Sequence, residues 1–311
     1  MKKLSKISKI IIMIVLLFSL TGCTKILKDE NKKVVQNEET GQNLTENILC
    51  RPTNEKVINL YNENKVDLSK LPKCDEFKIT SGGYEGIWTT LFVKPLAFLI
   101  IQLGKLTKNY GVAIILLTLL IRLILYPVTK KTAMQSEVMK EAKPELDKLE
   151  LKYRGKNDQE SMMKKSQEMM MIYKKYNISP LSGCLFAFIQ IPLFFAFYES
   201  LNRLPVLFEG SILGFHLGTS PLKGISTGNY LYIILIVLVA LTTYFSFKLN
   251  SSMNTSGDQA KQMKMMSNIS IVLITFASFT MTTGIELYWI ANSGFTVIQN
   301  LLVKRGKKNV K

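Results

Sequence analysis

Arg122 is the residue whose chemistry is hardest to reconcile with its surroundings. It lies within residues 110–127, YGVAIILLTLLIRLILYP, where nearly every other side chain is apolar, and such a segment can cross most of the ~30 Å hydrocarbon core of a bilayer. A guanidinium inside that core costs at least about 2.5–3.5 kcal/mol, so it needs a polar partner or a water-filled cavity. Thr118 lies one helical turn earlier on the same face. The alternative is that Arg122 only snorkels to the inner membrane surface.

A second set of polar side chains lies on the last apolar segment. Four residues fall at positions i, i+4, i+8 and i+11 and therefore share one helical face: Tyr288, Asn292, Thr296 and Gln299. Single hydroxyl residues in membrane helices usually contribute only to packing between helices. An amide-bearing stripe together with an intramembrane arginine instead indicates a polar, functional interior.

The composition excludes several functional classes. The chain has 311 residues, a formal net charge of +17 and 47% hydrophobic residues, with long uncharged apolar runs, which is typical of a membrane protein. Its lysines lie in connecting segments, which favours membrane orientation over nucleic-acid binding. One histidine and four scattered cysteines form no zinc-spaced cluster, and there is no GxSxG, Walker A or GxGxxG motif. The sequence therefore predicts no enzyme activity, no cofactor and no metal site.

Residues 1–22 have the pattern of an export signal. Four lysines precede a short apolar stretch over 10–20, and the segment is followed by Cys23 in the sequence Leu20-Thr21-Gly22-Cys23. This ending resembles the bacterial lipobox, in which the cysteine receives a diacylglyceryl group and becomes the new N-terminus. The prediction is that Cys23 carries fatty acyl chains, such as palmitate, that anchor it to the outer face of the membrane. The alternative is an ordinary or uncleaved signal.

The next part of the chain is predicted to be extracytoplasmic and weakly structured. Residues 23–84 are rich in Asn, Lys and Glu, which predicts a lipid-anchored tether with one short helix near 55–64. Cys50 and Cys74 are candidates for a disulfide, because this compartment permits one. Residues 85–106 are apolar but interrupted by Lys94-Pro95, which favours an amphipathic helix on the outer surface over a membrane span.

The remaining segments predict an all-α integral membrane protein with five transmembrane helices. Residues 107–305 are predicted to form the membrane-embedded core. Its spans are expected at about 110–127, 180–201, 229–249, 266–282 and 285–303. Between the first two, residues 128–179 carry charges of both signs and two apolar stripes, which predicts a cytoplasmic helical hairpin. Its methionines either form an adaptable docking surface or only join the two helices. The lysine distribution places residues 306–311, a short basic tail, inside the cell.

From about residue 88 to 305 the chain resembles the YidC/Oxa-type membrane protein insertases, in their five-span bacterial form with a single lipid anchor. Four features carry the resemblance: TLLIRLILYP over 118–127, the charged hairpin, SPLSGC over 179–184 followed by Gln190-Ile191-Pro192, and LYWI over 287–290 with Asn292 and Gln299. Each is weak alone, whereas four in this order at these spacings are specific.

The resemblance implies five helices around a hydrophilic groove that opens to the cytosol and sideways to lipid. Arg122 would supply the positive charge of this groove, and substrate would contact a set of residues around it: Thr118, Gln190, Tyr288, Trp289 and Asn292. The implied function is to help nascent inner-membrane proteins insert, fold and assemble in the cytoplasmic membrane, alone or with the Sec translocon. The implied partners are nascent membrane proteins, the bilayer, the Sec translocon and the ribosome, with no direct role for nucleic acid.

The chain departs from the family's pattern at the start of the last span. Thr282-Thr283-Gly284 stands where the family often has a proline, and Glu286 lies in the first turn. Glu286 is near the outer end of its helix and Arg122 near the inner end of its own, so at ~1.5 Å per residue a direct pair is not expected. We therefore expect Glu286 at the membrane interface. The tail is also short, which leaves ribosome docking to the hairpin.

Two other functional classes compete with this interpretation. A transporter would show inverted repeats or paired broken helices, and the sequence has no such repeat. A binding lipoprotein would need a folded outer domain, for which residues 24–81 look too polar. Growth rescue of an insertase-depleted bacterium would separate the three classes.

Overall fold

The computed structural model describes residues 24–156, 158–179, 182–249 and 257–308. The chain divides into two compact units. The first is drawn from Met1–Leu117, Ile191–Leu235 and Phe279–Tyr288, and the second from Thr118–Gln190, Ile236–Ser278 and Trp289–Lys311. The predicted signal peptide and Cys23 lie outside the described residues.

Helices dominate the described residues. In chain order they are α1, Glu55–Glu63; α2, Lys94–Thr107; α3, Tyr110–Ile124; α4, Tyr126–Lys152; α5, Gln159–Lys175; α6, Ser182–Asn202; α7, Pro205–Phe208; α8, Pro221–Ser226; α9, Tyr232–Leu249; α10, Gly257–Ser278; and α11, Thr283–Lys308. Two short strands, β1 (Ser211–Ile212) and β2 (Phe215–His216), pair antiparallel between α7 and α8.

The first unit contains a small folded domain where the sequence predicted a tether. Three short extended segments pair through the antiparallel bridges Ile26–Thr45, Lys28–Val34 and Gln36–Asn43. The side chains of Leu27, Leu44, Val57 and Tyr61 are buried there. A disulfide joins Cys50 to Cys74, and α1 lies within the loop that it closes.

The sequence did not predict this core because its apolar residues are sparse and its partners are far away in the chain. Leu27, Val35 and Leu44 are eight or nine residues apart, so no short window shows a regular period. The Thr45 hydroxyl donates to the Asn202 carbonyl at 2.9 Å, which lies 157 residues further along the chain. The expectation that residues 24–84 are weakly structured is therefore wrong.

Residues 87–107 form one continuous helical segment rather than an interrupted one. A π-turn, Thr89–Val93, leads directly into α2. Pro95 lies in the first turn of α2, where its missing N–H costs little, so it does not break the helix.

Two lysines of α2 donate hydrogen bonds to the segment 75–85. Lys94 is fully buried, and its ammonium donates to the carbonyls of Ser81 and Gly83 at 2.7 and 2.6 Å. Eleven residues further along α2, about 16 Å at 1.5 Å per residue, the Lys105 ammonium donates to the Asp75 carbonyl. We call residues 24–84 the outer domain, after its predicted position. The helix α2 therefore lies alongside the outer domain at both of these points.

The chain bends sharply where the sequence predicted the end of a span. Only Leu125 separates α3 from α4, and the two helices are bent by 69°. The span was expected to end at Pro127, whereas Pro127 lies in the first turn of α4, a position that proline tolerates. The first hairpin helix therefore begins at Tyr126, two residues before the predicted start of the hairpin at residue 128. At the other end of the chain, α11 continues through residues 306–308 of the predicted tail.

The second unit contains the helical pair α4 and α5. They pack through the buried side chains of Ala142, Leu146, Tyr173 and Ile178. Met169 is partly buried in this contact, whereas the four other methionines of α5 are exposed: Met162, Met163, Met170 and Met171. Met169 therefore helps to join the two helices, and a docking role of the exposed methionines stays a prediction.

By length and apolar content, two helical segments of the described residues could cross a membrane. They are Thr89–Thr107 and Tyr232–Leu249, and the bent pair α3 and α4 is a third if it counts as one span. Lys264–Ser278 is apolar but shorter. The structure thus supports an all-α membrane protein. The number of five spans and the surface position of α2 remain predictions.

Candidate functional site

Arg122 lies at the centre of a buried polar cluster in the second unit. Its side chain is 2% exposed. The guanidinium Nε donates to Asn292 Oδ1 at 2.7 Å, and Nη2 donates to Gln190 Oε1 at 2.7 Å. The structure therefore brings together three of the residues that the sequence selected, from α3, α6 and α11. We call Arg122, Gln190 and Asn292 the Arg122 cluster.

The periodicity of the helices explains why these residues meet. On α11 the predicted stripe is buried throughout, with Tyr288, Asn292, Thr296 and Gln299 between 1% and 7% exposed. Thr118, one turn before Arg122 on α3, is 2% exposed and so lies on the buried face as well. The snorkelling alternative does not fit an arginine that is buried and held by two amide side chains.

The partners of Arg122 determine its electrostatic character. The hydrogen bonds of Nε and Nη2 go to neutral amide oxygens, which orient the guanidinium and offset part of its desolvation. A charge in a region of low effective dielectric attracts opposite charges more strongly than one in water. The Arg122 cluster is therefore suited to attracting an anionic or strongly polar group.

A second polar contact repeats this arrangement seven residues further along both helical segments. Thr129 and Gln299 are 6% and 3% exposed, and Gln299 Nε2 lies 3.0 Å from Thr129 Oγ1. The pairs Arg122–Asn292 and Thr129–Gln299 have the same sequence separation of 170. The sequence analysis missed Thr129 because it lies beyond the bend, in a segment assigned to the hairpin.

Trp289 is held by a residue of α9. Its indole N–H donates to Thr243 Oγ1 at 2.9 Å, and Thr243 is 1% exposed. The ring itself is only partly buried, so one part of it is available for contact. Trp289 is therefore a fixed aromatic surface in the second unit.

Tyr288 occupies a different environment from the one expected. It belongs to the first unit, is 1% exposed, and stacks on Phe197 with ring centroids 4.4 Å apart. Phe194 lies 6.3 Å from the same ring. The geometry supports a packing role for Tyr288, and its contact with substrate stays a prediction.

Glu286 is not at a solvated interface. It is fully buried, and neither carboxylate oxygen has a hydrogen-bond partner among the described residues. Glu286 therefore packs inside the protein, and its depth relative to the membrane interface stays a prediction.

The first unit holds a buried charge network that the sequence analysis missed. Arg203, 1% exposed, donates to Glu199 Oε1 at 3.0 Å and to the Glu85 carboxylate, and Lys94 Nζ lies 3.0 Å from Glu85 Oε1. Trp88 Nε1 donates to the other oxygen of Glu199 at 2.9 Å. We call Glu85, Lys94, Glu199 and Arg203 the Arg203 network. In the sequence, the i, i+4 spacing of Glu199 and Arg203 was a signal that could have indicated this network.

The two cations of the Arg203 network determine the ionisation of Glu85. Burial alone would raise the pKa of this carboxyl, but Arg203 and then Lys94 outweigh it, so the pKa of Glu85 lies below its ordinary value. The carboxylate is thus ionised at neutral pH.

Among the described residues, no group of three or more His, Cys, Asp or Glu side chains could hold a metal ion. The Arg122 cluster contains no group with the chemistry of a nucleophile or a general base. Its physical capacity is to bind and orient a polar segment.

The chain is similar to known proteins over most of its length. The model of the family described as "60Kd inner membrane protein" matches residues 102–310. "Membrane protein insertase YidC" of Oceanobacillus iheyensis is 36% identical over 226 residues, which cover 71% of this chain and 85% of that protein. "Membrane protein insertase MisCA" of Bacillus subtilis is 34% identical over 218 residues, covering 70% of this chain and 79% of its own.

A solved structure of an active YidC insertase, with its first transmembrane domain resolved, is also similar. It is 24% identical, with a TM-score of 0.45, and the match covers 81% of this chain and 53% of the other. The range matched by the family model includes the motifs around Arg122 and Trp289. The chain belongs to the 60Kd inner membrane protein family, the family of the YidC/Oxa-type membrane protein insertases.

Proposed function

We propose that this chain inserts nascent helices into the cytoplasmic membrane, and that Arg122 receives the polar or acidic leader of each substrate. The observation that carries the proposal is the buried guanidinium held by two neutral amides, Gln190 and Asn292. Such a charge attracts carboxylates over several ångströms while the amides keep it in place.

Insertion then follows from burial of apolar surface. Once the leader is held near Arg122, the apolar helix behind it moves into lipid, driven by removal of its surface from water. Trp289, fixed by Thr243, offers an aromatic surface along this path. On α9 and α10 the large exposed apolar side chains, such as Leu241 and Phe276, suit contact with lipid or with a substrate helix. No step in this mechanism forms or breaks a covalent bond.

We further propose the orientation implied by the sequence. Five spans around the groove, an outer N-terminus lipidated at Cys23 and a cytoplasmic C-terminus agree with the lysine distribution. The disulfide between Cys50 and Cys74 supports an oxidising, extracytoplasmic setting for the folded outer domain. The attachments of α2 to residues 75–85 support its position on the outer surface rather than across the membrane.

Cytosolic partners would meet the α4–α5 pair. The exposed face of α5 carries Met163, Met170 and Met171 beside Lys174 around one shallow groove. Flexible, polarisable methionines suit binding of varied partners. We propose that this face serves the ribosome or the Sec translocon, because it presents exposed methionines and a lysine around one groove.

A second function, as a binding lipoprotein, has one observation in its favour. The outer domain is folded, whereas the sequence had predicted that it could not be. Its Thr45 hydroxyl nevertheless donates to the Asn202 carbonyl and its Leu49 N–H donates to the Arg203 carbonyl, which favours a part of the membrane protein over a separate receptor. We therefore place insertion first.

Growth of an insertase-depleted bacterium tests the proposed function. The wild-type chain should restore growth, and the Arg122→Ala variant at equal protein level should not. A binding lipoprotein or a transporter would fail to restore growth in either form. Failure of the wild-type chain at normal expression would overturn the proposal.

A further inference from the structure

The first unit contains a cavity that begins at the first described residue. Its volume is about 450 Å³, within the roughly 300–1,000 Å³ range of small-molecule sites. Thr24 lines it, together with residues of the outer domain, of α6 and of the segment before α11. Cys23, the predicted lipid attachment site, precedes Thr24 directly and lies about 3.8 Å away along the chain.

The chain leading to this cavity is held in place. The Lys25 N–H donates to Asn47 Oδ1 at 3.1 Å, and the Glu46 N–H donates to the Lys25 carbonyl at 2.7 Å. Ile26 pairs with Thr45 as an antiparallel bridge. The attachment point, Cys23, is two residues along the chain from Lys25 and can therefore lie no further than roughly 7 Å from this paired backbone.

The lining suits an acyl chain with a polar head. Its apolar part is formed by Ile26, Phe195, Tyr198, Met281 and Ile285. Ile26, Phe195 and Tyr198 are 46%, 54% and 38% exposed, so the cavity opens outward through an apolar rim. Isolated apolar side chains are common on protein surfaces, but a group of them around a cavity indicates a binding site.

One polar atom in the lining lacks a partner. Gln42 is 5% exposed, and its side-chain oxygen accepts no hydrogen bond from the described residues. Buried carbonyl oxygens are normally satisfied, so this acceptor points to a donor that the described residues do not supply. The main-chain nitrogen of a lipidated Cys23 carries such a donor, as an ammonium or as an N-acyl amide.

We infer that one acyl chain on Cys23 lies in this cavity, against α6 and the start of α11, instead of in the bilayer. The inference rests on the lipidation proposed above. An acyl chain attached to Cys23 starts at the cavity, whereas a bilayer lipid must diffuse into it. The lipid would then join the outer domain to Ile285, three residues before the aromatic cluster of Tyr288. Lipidation thus holds the fold together as well as anchoring the chain.

Photocrosslinking at Phe195 tests the inference, with Phe276 as a matched control. Both are exposed phenylalanines on apolar helices, 54% and 74% exposed, but only Phe195 lines the cavity. Benzoylphenylalanine replaces each in turn in the full-length protein, in cells fed a radioactive fatty acid. After irradiation, peptide mass spectrometry identifies what each position has captured.

The expected product at Phe195 is an internal adduct with the acyl chain on Cys23, several-fold more abundant than at Phe276 and lost in Cys23→Ala. Capture of free phospholipid alone, in equal yield at both positions, would overturn the inference, as would an absence of any Phe195 adduct in labelled protein. If the wild-type chain takes up no fatty acid, lipidation itself is wrong and the inference falls with it. Growth rescue reports separately on insertion, so the failures are distinguishable.

Discussion

Arg122 and Arg203 are equally buried, 2% and 1% exposed, yet their partners differ in kind. Arg203 faces the carboxylates of Glu85 and Glu199, and with Lys94 the network contains two cations and two anions. Arg122 is held by amide oxygens of Gln190 and Asn292. The carboxylates offset the charge of Arg203, whereas the amides at Nε and Nη2 of Arg122 bring no charge of their own. Burial alone therefore does not distinguish the two arginines, whereas the charge of these partners does.

The largest effect is expected at Arg122. Arg122→Ala should reduce insertion of substrates with acidic leaders to background, because the attracting charge is lost. Arg122→Lys should retain much of the activity, since long-range attraction needs a charge rather than a planar fork. Insertion of a model single-span protein into vesicles, with insertase levels matched by blotting, measures this. If both variants instead lowered protein levels, the guanidinium would be a structural strut; normal insertion by the alanine variant would remove the groove-charge mechanism.

Arg203→Ala should affect stability rather than insertion. It leaves the buried Glu199 carboxylate without its cation, and breaking such a pair typically costs about 3–5 kcal/mol. Thermal unfolding and protease resistance in detergent should show a clear loss, while insertion per folded molecule stays near wild type. The comparison would fail if Arg203→Ala were stable but inactive in insertion.

Asn292→Asp should give Arg122 a carboxylate partner, like the partners of Arg203. A carboxylate at the position of Oδ1, which now lies 2.7 Å from Arg122 Nε, would neutralise the guanidinium. We expect several-fold slower insertion of acidic leaders at unchanged protein level. Asn292→Ala is the control, since it removes the hydrogen bond without adding a charge. Equal losses in the two variants would show that orientation, not charge, is what Asn292 contributes.

The smallest effect is expected from acidification. The folded pKa of Glu85 is lower than its ordinary value of 4.5, so the unfolded chain binds the proton more readily. The contribution of Glu85 to stability is therefore complete above pH 4.5 and is lost as the pH falls through the lower, folded pKa. Unfolding midpoints of wild type and Glu85→Gln, measured across this range, should converge at low pH. A gap that stayed constant would contradict the assignment.

The sequence was sufficient for the features that depend on a helical period. Asn292 and Gln299 were selected from their helical spacing and Arg122 from its place in an apolar segment, and the structure buries all three. Helical periodicity is local, so a single segment reveals it.

The features that were missed depend on contacts between distant parts of the chain. Thr129 follows the bend at Leu125, in a segment that the sequence assigned to the hairpin. Arg203 pairs with Glu85, which lies 118 residues earlier in the chain. The outer domain is polar by composition, and besides its own bridges it donates the Leu49 N–H to the distant Arg203 carbonyl. No window of sequence contains both halves of such a contact.

The first unit is assembled from stretches that are far apart in the chain, which fixes when it can be completed during synthesis. Its residues come from three stretches, of which the last is Phe279–Tyr288. The N–H and hydroxyl of Thr283 both donate to the Thr219 carbonyl, and the Gly284 N–H donates to the Leu217 carbonyl. These bonds cannot form until the ribosome has made nearly the whole chain. The first unit is therefore completed only when the start of α11 pairs with residues 217–219. A chain truncated before residue 279 would lack that closing segment, which gives cellular proteases a way to distinguish unfinished copies from complete ones.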